Sequence, residues 1–168
     1  MTLNMAAASV EGRATMPVLV ARTCGERIAF ALESVVEVLP AMATTALPSA
    51  PPVISGLINL RGTPLPVLDL ATRLGGVPLG PDPEHHVVVC HVGDRRVGIW
   101  VEEVSDITTI DANGLVAVTD FAAARHVAGA AVLADGMLVV LDLRSFLDAD
   151  EALMLDRAIV GALVEAAS

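Results

Sequence analysis

The sequence predicts a mainly β fold assembled from two similar halves and completed by one C-terminal helix. Three observations lead there: two stretches of the chain recur, apolar residues within each alternate with a period of two, and the apolar spacing changes to four after Leu147.

The recurrence fixes the framework. Residues 18–38 (VLVARTCGERIAFALESVVEV) align with residues 87–107 (VVVCHVGDRRVGIWVEEVSDI) at a shift of 69, so Arg27 meets Arg96, Ile28 meets Val97 and Glu37 meets Asp106. Residues 56–74 (GLINLRGTPLPVLDLATRL) align with residues 129–147 (GAAVLADGMLVVLDLRSFL) at a shift of 73, with Gly56, Leu60, Leu65, Val67, Leu68, Asp69, Leu70 and Leu74 unchanged. The domain therefore spans 17–147, with subdomains of about 17–77 and 84–147. Residues 1–16 precede the repeat and are expected to form a flexible N-terminus without a role.

Each half reads as strands. Ile28, Phe30 and Leu32 alternate with Ala29, Ala31 and Glu33, and Val97, Ile99 and Val101 do the same in the second half. Gly25-Glu26, Arg61-Gly62, Gly93-Asp94 and Asp135-Gly136 stand where hairpins turn. Short β-branched strands separated by turns predict a small barrel per half, an arrangement that also protects sheet edges. Residues 48–52 (PSAPP) and 78–83 (PLGPDP) lack the amide donors of interior strands, so the first is a connector and the second the linker between halves. Residues 148–168 form the terminal helix, with Asp148 or Asp150 as cap, Glu151 in the first turn, and Leu155, Ile159 and Leu163 as a stripe that packs on the barrels.

Composition excludes several function classes. Of 168 residues 54% are hydrophobic and 18% charged, enough apolar material for a core and too much for wholesale disorder. Aromatics reach only 2%, leaving few rings to grip a ligand. A formal charge of −10 repels phosphate backbones and anionic lipid, which argues against nucleic acid and against direct membrane insertion. No apolar run is long and uninterrupted enough to span a bilayer, and the N-terminus lacks the pattern of a signal peptide, so the expected compartment is the cytoplasm. Cys24 and Cys90 are too few for a disulfide framework and read as buried or half-buried free thiols.

Signals for chemistry are poor. His85, His86 and His91 have no Cys or carboxylate at familiar spacing to complete a metal site, so no metal is expected. Asp69 and Asp142, related by the repeat, each end a strand before a short run and read as caps rather than an acid–base pair. No phosphate loop, nucleophile elbow or dinucleotide fingerprint is present, and no catalytic residue or cofactor is assigned.

The most specific segment is residues 56–70 (GLINLRGTPLPVLDL), an apolar strand, a tight turn at Arg61-Gly62 and a second strand. Such a turn presents the five guanidinium donors of Arg61 either to solvent or to a partner. INLRG followed by PLPVLDL resembles the signature of CheW and the CheW-like domains of chemotaxis kinases. RVGIWVEEVSDI, VAGAAVLADGMLVVLDLRSFL and LDADEALMLD are similar to later parts of that family in the same order. The resemblance implies two five-stranded β-barrels around a shared hydrophobic core. It also implies an adaptor that joins the cytoplasmic tips of chemoreceptors to the CheA histidine kinase, in receptor arrays at the inner face of the membrane. Position by position, it places a receptor-facing groove at Val35, Glu37, Gly56, Asn59, Arg61 and Gly62. Trp100 departs from the small aliphatic residue usual in the family and offers either internal packing or an anchor for a partner. Rival readings are an adaptor of a pilus or gliding pathway, a small-ligand-binding barrel, and an enzyme; the last two have little support from the residues.

Overall fold

The structure, a computed structural model, describes residues 14–119 and 123–167. Among them the alternating segments form ten strands: β1 (Thr15–Thr23), β2 (Glu26–Ala31), β3 (Val35–Pro40), β4 (Ile54–Leu60), β5 (Thr63–Asp69), β6 (His86–Val92), β7 (Arg95–Val101), β8 (Glu103–Asp111), β9 (Val127–Leu133) and β10 (Gly136–Leu141). A single-turn helix α1 (Leu70–Arg73) follows β5, and α2 (Ala149–Ala167) ends the chain. Residues 1–13 of the expected flexible N-terminus lie outside the described residues, whereas its end is ordered into a strand. Thr15 and Met16 belong to β1 and pair with Asp111 and Ile110 of β8.

The strands make two five-stranded sheets, ordered β8-β1-β2-β10-β9 and β3-β6-β7-β5-β4. Advancing every strand by one repeat converts the first order into the second, so the sheets are equivalent by the duplication. They do not follow the expected boundary between residues 17–77 and 84–147, because each sheet takes strands from both halves. The joints explain the exchange. β2 passes through the 3-10 turn Leu32–Ser34 into β3, and β7 passes through Glu102 into β8, with no glycine or positive-φ residue to reverse the chain. The backbone therefore runs on into the other sheet, where β3 pairs with β6 and β8 with β1. Parallel pairings of β10 with β2 and of β5 with β7 complete the interlock.

Neither hydrogen-bonded ladder closes, so the barrels are incomplete. One isolated bridge, Thr45 with Leu57 in one sheet and Val116 with Ala130 in the other, ties the run after β3 or β8 to the strand at the opposite edge. Hairpin turns fall close to the expected glycines. Cys24–Gly25 (φ 54° and 77°) and Arg61–Gly62 (φ 52° and 87°) have both central residues at positive φ, the geometry that matches strand twist. The first of these lies one residue before the expected Gly25-Glu26, and it leaves Cys24 exposed at the hairpin tip rather than buried. Cys90 is buried in the core, and desolvation pushes its thiol up to about 12.

Three apolar clusters fill the molecule. Val18, Val20, Ala29, Ile110, Leu138 and Val140 occupy the concave side of the first sheet; Ile58, Leu65, Val67, Val87, Val89 and Trp100 occupy that of the second. The third, around Phe30, Leu68, Ile99, Phe146 and Leu155, is shared between the sheets and α2. Trp100 packs internally, in the second of these clusters. It is 7% exposed, and its indole Nε1–H donates to His85 Nδ1 at 2.9 Å. Both faces of β7 are buried, so alternation places Trp100 opposite Val97, Ile99 and Val101 correctly but does not fix its exposure.

Asp69 and Asp142 act as caps. Asp69 Oδ1 accepts from Thr72 N at 3.3 Å while Oδ2 accepts from Leu79 N at 2.9 Å, and Asp142 Oδ1 accepts from Arg144 N at 3.2 Å. Asp148 caps α2 reciprocally: its Oδ1 accepts from Glu151 N at 2.7 Å, and its own N–H donates to Glu151 Oε1 at 3.1 Å. The buried stripe of α2 is Leu155 and Ala158, flanked by Ile159 and Ala162, while Leu163 faces outward. Small alanines let the helix lie close to the sheets, so the expected stripe of large residues is only partly used.

Candidate functional site

Four of the six expected site residues meet at one place, the tip of the β4–β5 hairpin. Antiparallel pairing brings Asn59 opposite Pro64 and Leu60 opposite Thr63, leaving Arg61 and Gly62 as the two-residue turn. Asn59 Oδ1 accepts from Gly62 N at 2.7 Å, which fixes the turn from within. Arg61, held at positive φ, directs its side chain across the sheet's opening. Its Nη2 donates to Glu37 Oε1 at 2.7 Å and its Nη1 to Glu37 Oε2 at 3.0 Å, a two-pronged pair.

The location gives the pair its meaning. Glu37 lies on β3 and Arg61 follows β4, and these are the two opposite edges of one sheet. The ion pair therefore spans the seam at which the sheet curls towards itself. The Arg61 side chain is 68% exposed and that of Glu37 27%. The hydrogen bonds from Arg61 hold the Glu37 carboxyl below its ordinary value against the opposing effect of desolvation, and the same pairing raises Arg61. The fork thus stays charged on both sides and stands in reach of solvent.

The other two residues serve differently. Gly56 is buried with φ 155°, and a Cβ there would stand 2.4 Å from Thr45 O. Its lack of a side chain permits the Thr45–Leu57 bridge that supports the seam. Val35 lies half-buried against the shared core. Val35 and Glu37 share the inward face of β3, while Val36 and Val38 face outward, with an irregularity between Val35 and Glu37 where β3 pairs with β6. Thr45 went unnoticed in the sequence. The recurrence of Gly56 at Gly129, also at φ 157° and close to Val116 O, was the signal that both sheets need this close approach.

A polar junction joins α1 to α2. Arg73 donates from Nη1 to Glu151 Oε1 at 2.8 Å and from Nη2 to Glu151 Oε2 at 2.9 Å, and also from Nη1 to Phe146 O at 2.6 Å. His126, buried beside it, places Nδ1 3.0 Å from Ser145 Oγ, whose own proton goes to Asp142 O at 2.8 Å. This has the makings of a structural knot. The Ser145 hydroxyl donates to a backbone carbonyl, and among the described residues no carboxylate is hydrogen-bonded to the imidazole. Among the described residues no cluster of three or more His, Cys, Asp or Glu side chains is placed to hold a metal ion.

The duplicated, interlocked sheets can be matched to known proteins. The family model described as CheW-like domain matches residues 17–151. The chain belongs to the CheW-like domain family. A probable chemotaxis protein CheW of Rhizobium etli is 47% identical over 66 residues, covering 39% of this chain and 43% of the relative. The chemotaxis protein CheW of Klebsiella aerogenes is 30% identical over 115 residues, covering 67% of this chain and 69% of the relative. That of Rhizobium meliloti is 35% identical over 99 residues, covering 58% and 64% respectively. The match therefore spans less than two thirds of two of these three relatives. The crystal structure of the scaffolding protein TtCheW from Thermoanaerobacter tengcongensis has the same fold, with a TM-score of 0.73 at 24% identity over 82% of this chain and 91% of that one. In this CheW-like domain no helix among the described residues is long and apolar enough to cross a membrane.

Proposed function

We propose that this CheW-like domain is an adaptor without catalytic activity that couples the cytoplasmic tips of chemoreceptors to a CheA-type histidine kinase in chemotaxis signal transduction. Its place of work is the inner face of the membrane, reached through receptors rather than by insertion. The single observation that carries the reading is the exposed Glu37–Arg61 fork at the seam of a domain of this family. Asn59 and Gly62 set the direction of Arg61, and Val35 supplies apolar surface beside Glu37 on the same strand face. Charged groups so arranged favour register and specificity over raw affinity, and several moderate interfaces combine through avidity. The barrel-ligand alternative is disfavoured because side chains, Trp100 among them, fill the concave side of both sheets.

The test is a pull-down with a receptor cytoplasmic fragment and a CheA-type kinase. Wild-type protein should retain both. Arg61→Glu should keep its fold and lose the receptor fragment, because an exposed turn residue contributes little to the core. Undiminished receptor binding by folded Arg61→Glu would remove Arg61 from the interface.

A further inference from the structure

We infer that an open cavity beside the β1–β2 hairpin is a second docking site, which seats an amphipathic helix of a partner protein carrying a base next to its buried apolar residue. The cavity, of about 400 Å³, lies between the hairpin (Thr23, Cys24, Glu26, Ile28), the end of α1 (Leu74) and β10 (Val139). This site is separate from the Glu37–Arg61 fork, and the inference does not depend on the proposed function.

The duplication supplies the occupant. In the second half the chain continues past Leu147 directly into α2, whose Leu155 and Ala158 are buried in one cluster with Val92 and Val97 of the β6–β7 hairpin. Arg95, the first residue of β7, bonds Asp156 of that helix. In the first half the equivalent of Leu147 is Leu74, and the equivalent of Ala149, where α2 starts, is Gly76. There the helix stops. Gly75 takes φ 87°, the amides of Leu74, Gly75 and Gly76 bond back to Leu70, Thr72 and Ala71, and Pro78 follows. The hairpin surface that α2 covers in one half is thus left with an apolar cavity in the other.

Two further features fit a missing helix. Thr23 is 1% exposed, yet its hydroxyl has no hydrogen-bond partner, an unusual state for a buried polar group. At the rim, Glu26 opens β2 as Arg95 opens β7, so the charge that receives the helix is reversed. A helix entering here would carry an apolar residue where α2 has Leu155, a Lys or Arg where it has Asp156, and a small residue where it has Ala158. A second copy's α2 brings Asp156 against Glu26 and is repelled.

Cys24 at the cavity mouth gives the readout. It is exposed and Cys90 is buried with a strongly raised pKa, so alkylation by iodoacetamide of the intact chain reports Cys24 alone. The probe is a peptide of residues 147–166 carrying Asp156→Lys. At about ten times its Kd it should slow alkylation about tenfold, since only the unoccupied fraction reacts. The unaltered peptide should not protect. In the Glu26→Lys variant, which alters only an exposed position and whose fold is checked by circular dichroism, the preference should invert: the unaltered peptide protects and the Asp156→Lys peptide does not. Absence of protection by either peptide would overturn the proposal. So would equal protection by both, which points to apolar occupancy without charge recognition, and so would stronger protection of the wild type by the unaltered peptide, which assigns the cavity to a second copy.

Discussion

The two sheets have the same strand order and opposite treatments of their seams. In the β3-β6-β7-β5-β4 sheet the edges are joined by Glu37 and Arg61, and the concave side holds Trp100. In the β8-β1-β2-β10-β9 sheet the equivalents of that pair are Asp106 and Ala134, and the equivalent of Trp100 is Ala31. The outer surface near the β9–β10 turn carries the exposed cross-strand pair Val132–Met137, where the first hairpin has Asn59–Pro64. The lesson is a division of labour. Features shared by both halves, such as Gly56 and Gly129 or Asp69 and Asp142, maintain the interlock, whereas features present in one half only are those free to meet partners or to adjust packing.

The comparison breaks most forcefully at Trp100. Trp100→Ala empties the centre of one barrel and orphans His85 Nδ1, so a loss of about 3–5 kcal/mol is expected from urea denaturation. The shared glycines come next. Gly56→Ala forces a Cβ to within 2.4 Å of a backbone oxygen, and a loss of about 2–3 kcal/mol is expected from the close contact and the positive φ together. Gly129→Ala meets its nearest atoms at 3.0 and 3.1 Å, so it should cost less than Gly56→Ala. A larger loss for Gly129→Ala in the same denaturation would show that contact distance at the glycine does not set the cost.

A smaller effect distinguishes the halves by pH. Arg73 is equivalent to Phe146 and reaches across to it, so the junction with α2 is charged on one side of the repeat only. Burial, followed by the charges of Arg73 and Arg125, lowers the pKa of His126 from 6.5. The unfolded chain takes up that proton first, so stability present above pH 6.5 declines as pH falls below it. The hydrogen bonds from Arg73 lower Glu151 from 4.5, and that contribution is lost only on further acidification below pH 4.5. Thermal midpoints measured from pH 8 to 3 should decline in two stages. His126→Gln should flatten the first stage and Glu151→Gln the second.

Much of this fold was legible and some of it was not, for physical reasons. The repeat, the period of two and the turn glycines identified strands and hairpins because each is a local property. The exchange of strands between sheets was hidden, since the pairing of β2 with β10 joins residues far apart in sequence and leaves no mark on periodicity. Alternation puts Trp100 opposite Val97, Ile99 and Val101, as found, but leaves packing and anchor both open, because burial of the second face of β7 leaves no mark on a period of two. Leu155, Ile159 and Leu163 stand at a spacing of four, but a close helix–sheet contact selects small residues, so Ala158 and Ala162 are packed while Leu163 is exposed. At the candidate site, the opposite charges of Glu37 and Arg61 were visible, but only the fold places them on the two edges of one sheet.

The smallest expected change in stability sharpens the functional half of the comparison. Arg61→Glu, Glu37→Arg and the double exchange all alter an ion pair in reach of water, and exposed pairs add little to folding. Thermal midpoints should therefore stay close to wild type in all three. Binding of a receptor fragment separates two roles for the pair. If the fork merely ties the seam, the double exchange restores the tie and with it the binding, while the single variants fail. If Arg61 presents its charge outward, the exchange leaves the wrong sign at the turn and binding remains lost. Loss in the double variant is expected, because the turn fixed by Asn59 and Gly62 holds residue 61 at the more exposed end of the fork. Rescue in titration calorimetry would reassign the pair to closure of the sheet.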